Sequence, residues 1–353
     1  YLMIKKKVKY KLAEFEFPLP GKYISQYPSQ RRDHAKLMVL HKDTKKIEHR
    51  KIFNISDYIR KNDLILFNNT KVYPARLFAI KDHTDATVEV FLLRELENNL
   101  WEAMVRPARK VRIGNKLVFT PKIYCDVIDN TISGGRVVRF EYEKGNSIHE
   151  IIEKIGTPPL PPYIKRPIEH RDKQRYQTVF AEKRGSVAAP TAGLHFTNRL
   201  LQKLENKGVK IGFITLHIGV GTFRPVQVED LNRHQMDSEY FEVSPATALA
   251  INEAKKKRRR VIVVGTSTAR ALETVVVSGF QVTPKRGWTD KFIYPPYKFK
   301  MADGLVTNFH MPKSTLMMMS SAFAGHEVIL KAYREAKKHN YRFLSYGDAM
   351  LIV

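Results

Sequence analysis

The sequence predicts a mixed α/β protein: an α/β main domain interrupted by a small inserted β-barrel domain. Three observations carry this. From residue 185 onward, β-branched runs pass into loops of small residues and then into capped helices, three times over. Between about 63 and 143 the rhythm changes to short strands parted by turn signals, the spacing of a small barrel or sandwich. At 353 residues the chain also exceeds one typical core. The expected division is residues 1–62 with 151–353 for a discontinuous α/β domain, and 63–150 for the inserted barrel.

Taken in order, residues 15–58 are mixed, with a proline-rich entry (FPLPG, 17–21) and one apolar run (LMVL, 37–40) that reads as a strand. Before that run lies Arg31-Arg32-Asp33-His34, either a phosphate-contacting cluster or a solvated turn. The expected barrel strands are 64–67, 75–80, 87–93, 101–105, 116–119 and 136–142, broken by Asn68-Asn69, Asn98-Asn99 and Gly134-Gly135. The return passes through TPPLPPYIKR (157–166), a stiff spacer.

The loop GSVAAPTAGLHF (185–196) has no formal charge and ends before a helix start. Thr197 suits the N-cap, Leu200, Leu201 and Leu204 an apolar face, and Gly208 the C′ position. Such a loop lets backbone N–H groups approach a ligand, with His195 beside it. Residues 209–217 read as a buried strand leading into GVGTFRP (219–225). The third glycine of a dinucleotide fingerprint is missing there and Pro225 interrupts the helix, which excludes a Rossmann cofactor site.

Ser244-Pro245 opens a helix that carries Leu249 and Ile251 to the basic run KKKRRR (255–260), part of which suits a helix C-terminus. VIVV (261–264) leads through Gly265-Thr266-Ser267-Thr268 into a helix holding Arg270 and Glu273. TNFHMPK (307–313) precedes Ser314, which caps a helix over 315–323 whose Met317, Met318 and Met319 read as core. A final helix over 326–338 presents Val328, Ile329, Ala332, Tyr333 and Ala336 on one face, and 341–353 closes as a strand presenting Tyr346 and Asp348.

Composition narrows the function classes. Lys and Arg number 61 against 35 acidic residues, a formal charge of +26, which favours a polyanionic partner, nucleic acid ahead of an anionic membrane. The cations are scattered in clusters, at 5–11, 106–116, 165–175 and 255–260. The lone Cys125 excludes an intrachain disulfide and a cysteine-built zinc or iron–sulfur site, and points to a reducing compartment. No run is long enough for a membrane helix, and the N-terminal Lys5, Lys6, Lys7, Val8 and Tyr10 lack a signal-peptide core, so a cytoplasmic protein is expected.

Eight segments together resemble the S-adenosylmethionine:tRNA ribosyltransferase-isomerases of queuosine biosynthesis. They are FNNTKVYPARL (67–77), PLPPYIKR (159–166), RYQT (175–178), GSVAAPTAGLHF (185–196), LHIGVGTFRPV (216–226), VGTSTARALE (264–273), TNFHMPKSTLMMMSSAFAG (307–325) and YRFLSYGDAMLI (341–352), in family order. The resemblance implies an α/β domain with a β-barrel inserted. It also implies a reaction: the ribosyl part of S-adenosylmethionine is transferred and isomerised onto the aminomethyl-deazaguanine at the tRNA wobble position, giving epoxyqueuosine and releasing adenine and methionine. The resemblance further implies no metal and S-adenosylmethionine as co-substrate rather than resident cofactor; a monomer is expected, although the sequence itself leaves the oligomeric state open. Asn69 stands where the family commonly has Asp, Asp237 where it has a second His after His234, and Pro296 where it has Gly.

The sulfonium acidifies the neighbouring ribose carbon, so a base beside it starts the reaction as an ylide, and an acid near adenine assists its departure. Titratable candidates in matched motifs are His195, His217, His234, Glu239, His310 and Asp348, with His195, His217, Glu239 and Asp348 expected to be catalytic. Bland alternatives stand beside these: His217 satisfying a buried carbonyl, Glu239 paired with Arg233, and Arg270 paired with Glu273 at the surface. Thr191, Gly193, Gly219, Gly221, Thr222, Thr266, Ser267, Asn308 and His310 are the expected contacts to the co-substrate. Arg31, Arg32, Arg166 and Arg175, with Tyr163 and Tyr176 interleaved, are the expected RNA contacts. A tRNA methyltransferase would share substrate and charge but needs a complete glycine fingerprint. A non-catalytic RNA-binding protein would not bind S-adenosylmethionine at all.

Overall fold

The structure, a computed structural model, describes residues 10–143, 145 and 147–353. The N-terminal lysines up to residue 9 lie outside the described residues. Strands β1 (Lys36–Leu40) and β2 (Ile47–Lys51) form a hairpin, followed by β3 (Leu64–Asn68) and the short β4 (Thr70–Val72). Strands β5 (Arg76–Lys81), β6 (Thr87–Glu97), β7 (Leu100–Arg106), β8 (Lys116–Thr120), β9 (Ile123–Asn130) and β10 (Arg136–Glu141) close into an antiparallel barrel in the order β10-β7-β6-β5-β8-β9. Helices α1 (Ile148–Ile155) and α2 (Asp172–Arg175) lead back to β11 (Lys183–Ser186), which pairs with β4.

The second half runs α3 (Asn198–Asn206), β12 (Lys210–Leu216), β13 (Glu239–Val243), α4 (Pro245–Lys256), β14 (Val261–Val264) and α5 (Thr266–Thr274). A small hairpin of β15 (Val276–Val277) and β16 (Gln281–Val282) precedes β17 (Lys285–Thr289), β18 (Gly304–Asn308), α6 (Thr315–Ala324), α7 (His326–Lys338) and β19 (Ala349–Ile352). The main sheet has nine strands in the order β17-β13-β12-β3-β14-β18-β19-β1-β2. Its centre, β12-β3-β14-β18, is parallel, so those four strands end on one side.

Sequence alternation explains how the sheet is covered. Leu64 and Leu66 join Val261 and Val263 in a core with Ile251 of α4, Leu272 of α5, Met317 of α6 and Ile329 of α7. Ile65, Phe67, Ile262 and Val264 point the other way and pack on Leu200 and Leu204 of α3. The caps are those expected: Thr197 accepts from Leu200 N–H at 3.1 Å, Ser314 accepts from Met317 N–H at 3.2 Å, and Gly208 follows α3 at φ +84°.

Several sequence expectations need correction. Residues 64–67 belong to the main sheet, because all five residues of β3 are buried, the signature of a central strand with both faces covered. True barrel strands alternate, as β5 does between buried Leu77 and Ala79 and exposed Phe78 and Ile80. A barrel strand over Ile123–Asn130 was not anticipated. Its Cys125 lies in the barrel core, where burial pushes the thiol well above its usual range and makes it inert. The closing strand is only Ala349–Ile352, so Tyr346 and Asp348 precede it in a turn.

The basic run is partly structural: Lys255 bonds Asp303 at 2.8 Å, Arg260 bonds Asp63 at 2.5 Å, and Lys257 pairs with Glu253. Among the described residues no helix is long and apolar enough to cross a membrane.

Candidate active site

Three small-residue turns meet at the shared end of the parallel strands. Asn68, last in β3, donates to the Leu216 carbonyl at 2.9 Å and to Ser267 Oγ at 3.1 Å, tying the ends of β3 and β12 to the start of α5. Thr191 Oγ1, in the uncharged loop, donates to Asn308 Oδ1 at 2.9 Å and ties that loop to the end of β18. The result is a tight hollow lined by Ala188, Thr191, Thr222, Thr266, Ser267, Asn308 and His310, with Arg270, Lys291 and Met236 completing its wall. Hydroxyls and an amide over an apolar floor suit a small polar molecule with an apolar face.

Beside the hollow, between barrel and main sheet, opens a wider cleft. Ile218 and Arg224 line both spaces and form their junction. The barrel contributes Arg94, Trp101 and Glu102 to the cleft, and the main domain contributes Arg184, His217, Gly219, Asp237, Glu239, Tyr240 and Trp288.

His217 donates from or accepts at Nδ1 with Thr70 Oγ1 at 2.8 Å, and stacks on Tyr240 with ring centroids 5.4 Å apart. Gly185, at φ +149°, presses on the His217 ring so closely that a Cβ there would lie 2.5 Å from Nε2. Gly221 likewise leaves room for Asp237, whose carboxylate would overlap any side chain at 221.

Glu239 accepts from Gly219 N–H at 2.8 Å and from Thr222 at 3.3 Å, and forms a buried ion pair with Arg270. This corrects both surface pairings. Arg233 instead lies 3.9 Å from Asp230, and Glu273 is buried, accepting from Met301 N–H at 2.9 Å and Tyr297 OH at 2.8 Å. Glu239–Arg270 therefore joins the cleft to the hollow through the wall between them.

Other expected site residues stand behind the loop, away from both spaces. His195 is buried in a small pocket with Arg32, Arg175 and Tyr346. Its Nε2 faces Asn308 Nδ2 at 3.4 Å, and because Asn308 Oδ1 already accepts from Thr191, the amide donates and Nε2 accepts. Asp348 accepts from Lys36 N–H at 2.9 Å and Arg342 N–H at 2.7 Å. Gly193 is buried with its α-carbon against Phe180, so it shapes the loop rather than lining the hollow.

The expected RNA contacts are mostly engaged within the chain. Arg166 makes a two-pronged bond to the fully buried Asp172, both at 2.7 Å. Burial alone would raise Asp172, but Arg166 and the Glu169 N–H carry it below its ordinary value. Arg175 donates to the Gln30 and Ser29 carbonyls at 2.8 and 2.5 Å, and Arg32 to Leu194 and Gln174 carbonyls at 3.0 and 2.8 Å. Tyr176 is buried against Tyr346. Arg31 alone of the set is exposed.

The histidines share one electrostatic character. Burial lowers His195 and His217 to about 4 and His310 to about 3, so all three are neutral at pH 7. His310 Nε2 pairs with Thr307 Oγ1 at 2.7 Å. His234, also lowered by burial, packs its ring on Phe292 instead of entering the cleft. Asn69 holds Glu182 and Thr215 at 3.0 and 2.7 Å, a neutral brace at the end of β3. Sequence reasoning missed Lys291, Arg224 and the inward turn of Arg270. Arg224 and Arg270 lie inside matched segments and were available there, whereas Lys291 sits in a stretch without pattern. Burial lowers both Lys291 and Arg270, the latter to about 10.

Comparison with known proteins shows what the chain is similar to. The family model described as "Queuosine biosynthesis protein" matches residues 12–352. The S-adenosylmethionine:tRNA ribosyltransferase-isomerase of Cytophaga hutchinsonii is 52% identical over 348 residues, covering 97% of this chain and all of that protein. Its counterpart in Chloroherpeton thalassium is 50% identical over 345 residues, covering 97% and 99%. The crystal structure of an S-adenosylmethionine tRNA ribosyltransferase from Thermotoga maritima aligns with a TM-score of 0.56 at 36% identity, over 96% of this chain and 100% of that one. With that family model spanning nearly every residue, and relatives half identical along their whole length, this chain belongs to the queuosine biosynthesis protein family.

Proposed function

We propose that this chain transfers and isomerises the ribosyl moiety of S-adenosylmethionine onto 7-aminomethyl-7-deazaguanine at the wobble position of tRNA, giving epoxyqueuosine-tRNA with release of adenine and methionine. The observation that carries this reading is the convergence of the three turns on one tight hollow that opens, through Ile218 and Arg224, into a wide cleft rich in aromatic rings. The hollow takes the sulfonium nucleoside, with Thr191, Thr222, Thr266, Ser267, Asn308 and His310 as its polar contacts. The cleft takes the splayed wobble base.

His217 is the proposed base. If Thr70 turns its hydroxyl proton to the Lys183 carbonyl, 3.5 Å away, it accepts from His217 Nδ1–H and leaves the Nε2 lone pair open to the cleft. Glu239 and Gly219, bonded to each other, line the cleft rather than the hollow, and Gly221 lines neither. His195 and Asp348 are positioning residues: His195 holds Asn308, and Asp348 pins the turn before β19. Arg224 at the junction disfavours a protonated acceptor amine, which must be neutral to attack, while Asp237 in the cleft opposes that effect.

The test is incubation with labelled S-adenosylmethionine and a tRNA bearing the deazaguanine precursor. Free adenine in stoichiometric yield is the expected result. Methylated RNA without adenine, or no binding of S-adenosylmethionine, overturns the reading in favour of a methyltransferase or of an RNA-binding protein, respectively.

A further inference from the structure

A row of rings leads from the cleft interior to its rim. His217 stacks on Tyr240, and Tyr240 of β13 is the direct cross-strand partner of Trp288 in edge strand β17, with centroids 5.9 Å apart at 76°. Trp288 is 55% exposed although it is the largest side chain on that edge. From across the cleft, Arg94 of the barrel lays its guanidinium 5.6 Å from the Trp288 ring, and Glu102 holds Arg94 in place through its Nε at 2.8 Å. An indole held half in water beside a cation leaves ring surface free for a stacking partner.

We propose that Trp288, backed by Arg94 and Tyr240, is a stacking shelf for an unpaired nucleobase next to the modified one in the anticodon loop. This rests on the reading that the cleft receives the wobble base, and it assigns the recognition of the neighbouring nucleotide. Stacking is tolerant of base identity, so the shelf holds the loop open and in register without reading sequence. The strongly positive chain supplies long-range attraction, and the shelf fixes the position.

The experiment uses an anticodon stem-loop RNA with the deazaguanine precursor, and versions abasic at each nucleotide flanking it. Adenine release and quenching of indole fluorescence are followed for the wild type, Trp288→Ala and Trp288→Phe, with Trp288→Ala giving the signal of Trp101, the other indole, to be subtracted. Trp288→Ala raises the half-saturating RNA concentration on the order of 5–100-fold, leaves that for S-adenosylmethionine within about twofold, and Trp288→Phe recovers most of the loss. One abasic position costs the wild type a similar factor and costs Trp288→Ala nothing further. Equal RNA saturation in wild type and Trp288→Ala, or abasic penalties undiminished in the variant, overturns the shelf. If base-dependent quenching occurs but no adenine is released, the shelf stands and the proposed reaction falls. Adenine release without Trp288 quenching has the opposite meaning.

Discussion

Two neighbouring regions, both drawing on the matched segments, use their polar residues in opposite ways. At the ends of β14 and β18, Thr266, Ser267, Asn308 and His310 face a hollow. Behind the uncharged loop, Arg166, Asp172, Arg175, Arg32 and Tyr346 face one another. Tyr346 OH donates to Asp172 Oδ1 at 3.0 Å, while Arg166 closes on the same carboxylate. One region offers donors to a ligand, and the other turns most of its donors inward and so fixes the loop that carries Thr191. A residue's membership in a family segment does not tell which of these it does.

The largest expected effect tests the inward-turned region. Arg166→Ala leaves a carboxylate buried without its cation, and removing one partner of such a pair costs about 3–5 kcal/mol. A large fall in the thermal midpoint is expected, with S-adenosylmethionine and RNA affinities of the folded fraction close to wild type. An unchanged midpoint with RNA affinity lowered more than tenfold would mean that Arg166 is an RNA contact after all, and the contrast between regions would collapse.

Next in size are the two histidines on either side of the divide. His217→Ala should lower turnover by about a hundredfold or more with little change in midpoint, because its ring edges a cleft. His195→Ala should lower turnover by a similar factor and the midpoint as well, because the buried amide of Asn308 loses an acceptor. Near-normal turnover in either variant removes that residue from the mechanism.

The same burial gives a pH signature. His195, His217 and His310 stay neutral in the folded chain down to about 4, 4 and 3, whereas the unfolded chain protonates them near 6.5. The unfolded state thus binds more protons in this window, so stability is complete above about 6.5 and is lost as pH falls toward 4. Each histidine contributes a slope of up to about 1.4 kcal/mol per pH unit. Guanidinium midpoints at pH 7, 6 and 5 should decline, and His310→Gln should flatten the decline. A flat wild-type profile would show that these rings are not shielded from water.

Much of the fold was legible because local chemistry and tertiary demand agree. Thr197, Ser244 and Ser314 cap the helices they precede, and Met317 to Met319 pack where an apolar helix face requires. The reading failed where a pattern has two solutions. An apolar run such as Leu64 to Phe67 is a strand in either domain, and only its lack of alternation assigned it to the parallel sheet. Arg270 reads as half of a surface i,i+3 pair with Glu273, yet each turns to a separate buried partner, since a helix wedged among β3, β12 and α6 has no free face. Charge partners more than a few residues apart, such as Glu239 and Arg270, leave no mark in spacing.

The smallest expected effects come from two adjacent arginines that share a residue type and little else. Arg32 donates to two backbone carbonyls, and burial lowers it to about 10, so Arg32→Ala leaves the Leu194 and Gln174 carbonyls short of a partner. A stability loss of about 1–3 kcal/mol is expected, with the salt dependence of tRNA binding unchanged. Arg31 is exposed, so Arg31→Ala should leave the melting curve alone and reduce the slope of log affinity against log salt by about 1. Because the two substitutions remove the same side chain one residue apart, any overlap between the outcomes bears directly on the division. If Arg31→Ala leaves the salt slope intact, this turn is not on the path of the RNA, and the cationic track must lie along the cleft through Arg184 and Arg224 instead.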